Sequence, residues 1–197
     1  MGYRGCPDYR KQVQKVAEPV GEACGLPQRL AGLCSDCKAA VPPNRRMPSW
    51  LVFDGSTRQA LHSLKYRRNI APGEALAPHL VEFVTALGWL VDVVVPIPLV
   101  KTRMKERGYN QAGLVAMPLA SIQHWRYMPR ALIRDHETRT PVGLTTTQPK
   151  ENVRGAFNAQ ARLVRGKNIR LKDEVATAVA TLAGGADALP DAGARLV

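Results

Sequence analysis

Apolar residues recur along this chain in two rhythms. Ala60, Leu61 and Leu64 share one face of a helix predicted over Thr57 to Tyr66, and Leu76, Leu80, Val84 and Leu87 form one stripe over Gly73 to Leu87. The rhythm then changes. Val91 to Leu99 reads VDVVVPIPL, almost continuously β-branched and closed by Pro96 and Pro98. Such a run predicts a strand buried on both faces, and hence a parallel sheet covered by helices. Leu114, Val115 and Leu119 predict a helix from about Asn110. Ala131-Leu132-Ile133 and the Ile169/Leu171 pair read as two further short strands. Val179, Leu182, Ala186 and Leu189 stripe a last helix, Gly193 stops it, and Leu196-Val197 reads as the start of another strand. Strands alternating with helices define an α/β fold: a parallel twisted sheet flanked by helices.

Two stretches escape these rhythms. Residues 1–49 lack periodicity and end in breakers from Pro42 to Pro48, which predicts an N-terminal appendage and linker ahead of a domain over 50–197. Residues 135–158 are polar and rich in threonine, arginine and proline, long for a plain connection and therefore functional or mobile. A shorter basic loop, with Lys101, Arg103, Lys105 and Arg107, is expected between the valine-rich strand and the next helix.

Charge narrows the partners. The 197 residues carry 28 basic and 16 acidic side chains, a net charge of +12. Either the basic surface is merely solvated, or it meets phosphates, nucleotides or nucleic acid. Cations interleave with aromatics at Lys65-Tyr66-Arg67-Arg68, at Arg103 to Tyr109 and at His124-Trp125-Arg126-Tyr127. Such clusters can grip a single-stranded nucleic acid while rings stack on bases. The plainer account of each is a solvated helix end or a buried ring with exposed flanking charges. The polar first residues carry no secretory signal, and the apolar run at Leu90 to Val100 is too short to span a bilayer. A cytoplasmic protein without membrane insertion, and with reduced cysteines, is expected.

Of the four cysteines, Cys34-Ser-Asp-Cys37 alone has knuckle spacing. Cys6 and Cys24 could complete a four-thiolate zinc site, although each lacks its own near neighbour. Free thiols in a loose N-terminal segment are the simpler reading.

The remaining chemistry lies after the Ile169/Leu171 strand. In open parallel sheets, ligands bind beyond the carboxyl ends of the strands. There the chain reads Asp173-Glu174-Val175-Ala176-Thr177-Ala178-Val179-Ala180-Thr181. Carboxylates suit a ribose diol, and threonine hydroxyls with free N–H groups at a helix start suit a phosphate. From the residues alone, capping of the helix by Asp173 and Glu174 accounts for the acids more simply.

Taken together, VDVVVPIPL, RMKERGYNQAG, NVRGAF and the acidic-pair loop resemble the ComF competence-protein family of type I phosphoribosyltransferase-like proteins. LHSLKYRR and the Cys34/Cys37 knuckle fit as well, so the resemblance covers roughly residue 24 to the end. It implies that Asp173 and Glu174 hold the ribose hydroxyls of phosphoribosyl pyrophosphate. Ala176, Thr177, Ala178, Val179, Ala180 and Thr181 would cradle the 5′-phosphate. Pro96, Lys101, Arg103 and Arg107 would face the pyrophosphate, bridged by magnesium. A zinc knuckle at Cys34 and Cys37, which Cys6 and Cys24 could join, and partners in DNA uptake such as single-stranded DNA or competence-machinery proteins fit the same resemblance.

The loop departs from the family pattern D-D-x-x-T-T-G-x-T. Ala178 removes a hydroxyl, and Val179 replaces the glycine that permits positive φ and close backbone approach, a strain on the order of 1–3 kcal/mol if the turn is kept. Arg170 and Lys172 put two cations on one face of a strand expected to be covered. The expectation is a retained fold with transferase activity weakened or lost.

Overall fold

The computed structural model describes residues 14–39, 48–67, 70–135, 155–173 and 179–197. A short helix α1 (Ser35–Ala39) precedes α2 (Gly55–Tyr66) and α3 (Ala71–Ala86). The chain continues through β1 (Val93–Pro96), α4 (Lys101–Arg107), α5 (Gln111–Ile122) and β2 (Arg126–Tyr127). Then come β3 (Leu132–Arg134), β4 (Phe157–Ala159), α6 (Ala161–Val164), β5 (Ile169–Lys172) and α7 (Val179–Asp191).

The valine run behaves as its composition dictates. β1 is the centre of a parallel sheet in the order β2-β1-β5, and Val93, Val94 and Val95 are completely buried. On one face Val93, Val95 and Ile97 pack with Leu132, Phe157, Ile169 and Leu189. On the other, Val94 meets Ala116 and Ala120 of α5, and Leu80 and Val84 of α3 pack in turn on Val115 and Leu119 of α5. Leu196 extends the sheet beyond β5: it pairs in parallel with Asn168, and its carbonyl accepts from the Ile169 N–H at 2.7 Å. The further strand expected there does begin.

Two expectations need correcting, and one strand was not foreseen. The basic stretch after β1 is a helix, α4, not a loop. Lys, Arg, Met and Glu are all good helix formers, and Gly108, at φ +80°, ends the helix in the left-handed conformation with its N–H on the Met104 carbonyl. The Ala131–Ile133 strand is not part of the parallel sheet: β3 pairs antiparallel with β4, whose residues were expected in the polar connection. Arg126-Tyr127 forms the edge strand β2, too short for any periodicity to reveal.

The cations of β5 find an unusual accommodation. The Arg170 guanidinium stacks over the Trp89 ring at 4.0 Å, and Lys172 Nζ donates to the Asp173 carbonyl. Burial pushes the Arg170 guanidinium down to about 10, so it stays charged at neutral pH. At the other end of the strand, Asp92 accepts from the Asn168 N–H at 2.8 Å, and Arg195 Nε donates to Asn168 Oδ1 at 2.8 Å. No helix among the described residues is long and apolar enough to cross a membrane.

Candidate functional site

The carboxyl ends of β1 and β5 lie side by side. Pro96 pairs in register with Lys172, and the Ile97 N–H donates to the Lys172 carbonyl at 2.8 Å. The turn through Pro96 and Pro98 and the partly buried Asp173 therefore sit on neighbouring strands, where an open parallel sheet presents its ligands. Thr181 lies in the first turn of α7. Val179 and Ala180 already belong to that helix, a backbone conformation valine accepts. Glu174, Ala176, Thr177 and Ala178 lie outside the described residues.

The cations after β1 divide into two groups. Lys101 and Arg103 are exposed on α4. Arg107, at the far end of that helix, sits over the Tyr66 ring with its guanidinium carbon 5.6 Å from the centroid. Tyr66 is 64% exposed and also meets His62, ring centroids 4.7 Å apart. Two of the three basic-aromatic clusters thus join into one surface. The third does not: Trp125 and Tyr127 pack against the α5 side of the sheet. Burial pushes the Tyr127 phenol up, and a Cβ on Gly113 would come within 2.8 Å of its oxygen.

The residues from Arg107 to Gln111 do mainly structural work, which sequence reading missed. Gly108 ends α4. Tyr109 donates its hydroxyl to the Leu64 carbonyl at the end of α2. Asn110 caps α5, accepting from the Gly113 N–H at 3.3 Å, and its amide nitrogen donates to the Ile97 carbonyl at 2.8 Å. Gln111 is buried, 2% exposed. The signal for this role was present: Asn followed by a helical stripe is an N-cap pattern.

The cysteines come together more closely than a loose segment implies. The sulfurs of Cys24, Cys34 and Cys37 all lie within 4.8 Å of one another, with Cys24 Sγ and Cys34 Sγ 3.7 Å apart. Tetrahedral zinc with Zn–S bonds of ~2.3 Å places its sulfurs about 3.8 Å apart, so three ligand positions fit. The Cys37 thiol is pushed up to about 12, chiefly by burial and then by hydrogen bonds with Cys34 and Cys24. Ala23 and Leu182 of α7 pack against this cluster. Cys6 lies outside the described residues.

With this geometry in view, the chain can be set beside known proteins. It is 28% identical over 203 residues to the DNA utilization protein YhgH of Escherichia coli O6:H1, covering 100% of this chain and 89% of the relative. It is 32% identical over 184 residues to the YhgH protein of Salmonella typhimurium, 88% of this chain and 79% of the relative. Competence protein ComFC of Bacillus subtilis is 27% identical over 188 residues, 90% of this chain and 74% of the relative. No family model matches the chain.

Proposed function

The chain belongs to the ComF family of competence proteins, and from that premise we propose that it binds phosphoribosyl pyrophosphate, or a related ribose phosphate, at the paired carboxyl ends of β1 and β5, with little transfer activity. The observation that carries this reading is the register of Pro96 with Lys172, which sets the Pro96–Pro98 turn beside Asp173. Asp173 would accept from the ribose hydroxyls, and the first turn of α7 would face the 5′-phosphate. Lys101 and Arg103 on α4 would neutralise the pyrophosphate electrostatically. Magnesium suits a site with a carboxylate and a polyphosphate, because it is usually held by one or two carboxylates plus substrate oxygens. When bound it would supply charge neutralisation of the leaving group. In pentosyl transfer the bond from the anomeric carbon to pyrophosphate breaks in a cation-like transition state, so positioning and charge neutralisation are what the protein contributes.

The test is a titration of the full chain with phosphoribosyl pyrophosphate and magnesium, read as melting temperature. A saturable rise that Asp173→Asn abolishes is expected. No shift at millimolar ligand would overturn the reading.

A second reading rests on a different surface. The joined Tyr66/Arg107 patch and the exposed cations of α4 suit single-stranded DNA, and the relatives are named for DNA utilization and competence. In that reading the protein is an accessory to DNA uptake without catalysis. Binding that weakens steeply between 50 and 200 mM salt, as counterion release requires, supports it; no shift with micromolar protein at low salt refutes it.

A further inference from the structure

The alternation of Arg170 and Lys172 along β5 gains a reason from what lies over that face. A cavity of about 510 Å³ lies between β5, the helices α2, α3 and α5, and the segment from Pro48 to Phe53, and reaches Leu26 and Pro27 of the N-terminal segment and Leu182 of α7. Its volume is in the range of small-molecule pockets. Its walls are apolar, with Trp50, Leu80, Phe83, Val84 and Leu119 among them. Its charged lining residues are Arg170, Lys172 and Asp173.

The charges are not balanced. Lys172 and Asp173 cancel in formal charge, which leaves Arg170. Trp89 covers the face of its guanidinium, and none of the described carboxylates pairs with it. Stacking engages the face of a guanidinium and not its N–H edge, and this partly buried cation gains most from a planar oxyanion that accepts two hydrogen bonds. Burial lowers its affinity for the proton without neutralising it at pH 7. Two buried hydroxyls on lining residues, Ser49 Oγ and Thr57 Oγ1, also lack a hydrogen-bond partner, and Thr57 is only 4% exposed.

We propose that this cavity binds a small organic monoanion with an apolar body, a carboxylate whose head meets Arg170 and whose aliphatic or aromatic body lies among Trp50, Phe83 and Leu80. Asp173 borders both sites, but the multiply charged ribose phosphate proposed for the strand ends suits these apolar walls poorly, so the two sites take different ligands and decanoate is read separately, at Trp50.

The probes are decanoate, decanol and acetate, titrated into the full chain by calorimetry, with the Trp50 indole N–H followed by NMR. One decanoate per chain, a shift at Trp50, and binding of decanol weaker by roughly tenfold or more are expected, since hydrogen bonds to a charged group outweigh neutral ones. Acetate should not bind measurably. Arg170→Gln should remove the preference for decanoate over decanol. Val84→Trp, which fills the cavity from α3, should abolish decanoate binding while cooperative unfolding is kept. Equal affinity for decanoate and decanol, binding without saturation, or undiminished binding to Val84→Trp overturns the proposal. Should Arg170→Gln not fold, the comparison of the three probes on the unsubstituted chain decides alone.

Discussion

The Asn110 side chain bridges two elements, donating to the Ile97 carbonyl at 2.8 Å and accepting from the Gly113 N–H at 3.3 Å. It ties the turn after β1 to the start of α5. Asn110→Ala loses both bonds and should cost about 1–2 kcal/mol. Asn110→Asp keeps the cap but not the donor, and should fall between Ala and the parent. Urea denaturation reads the difference as a lower midpoint with an unchanged slope.

The thiol cluster should make stability depend on pH and on added zinc. Burial holds the proton on Cys37 in the folded chain, raising its pKa from 9.0 to about 12. The folded state then binds more protons than the unfolded state between those values. The metal-free chain should keep this contribution below about pH 8 and lose it progressively from pH 9 to 12. Zinc requires thiolates, so binding should release protons and weaken as pH falls. Thermal unfolding with zinc or a chelator checks both; Cys37→Ser should abolish the zinc-dependent rise.

At the opposite end of the sheet, Asp92 accepts from the Asn168 N–H. Asp92→Ala removes a charged acceptor and should cost about 1.5–3 kcal/mol. The accompanying ion pair to Arg195, 3.8 Å long with both side chains well exposed, should contribute little of this. Arg195→Met in the same denaturation assay also loses the bond from Arg195 Nε to the buried Asn168 Oδ1, and should cost a comparable amount through that bond rather than through the ion pair.

Gly185 of α7 lies where a Cβ would be 2.9 Å from Ile97 Cδ1 and 3.1 Å from Leu132 Cδ2. Alanine can be met by small movements of those flexible tips and regains helix propensity, so Gly185→Ala should be near neutral. Gly185→Leu must displace the sheet face and should cost about 1–3 kcal/mol. Melting temperatures of the two variants separate these outcomes.

Val179 opens α7, and the family pattern has glycine there. Val179→Gly should enlarge any melting-temperature rise produced by magnesium and phosphoribosyl pyrophosphate, because glycine lets the backbone approach a phosphate. An equal rise in both chains would mean that valine is not what limits binding.

The central strand was legible because Val93 to Val95 are buried on both faces, where periodicity gives way to an unbroken apolar run. The amphipathic helices were legible because each has one wet side. α4 was not, since none of its residues is buried and no stripe marks it. β2 and β4 are two and three residues long, shorter than the period needed to recognise them. The antiparallel partnership of β3 is set by tertiary packing, as with Leu132 against Phe157, and not by its own residues. At the candidate site, the position of Asp173 followed from strand order alone. The convergence of Cys24 on Cys34 and Cys37 did not, because it depends on how a segment without periodicity folds back.

The five residues from Arg107 to Gln111 stack on Tyr66, terminate one helix, fasten another and fill the space beneath it. Each of these contacts joins one element of the fold to the next. A chain stripped of every ligand contact at the strand ends would still need these five residues to hold its helices on the sheet.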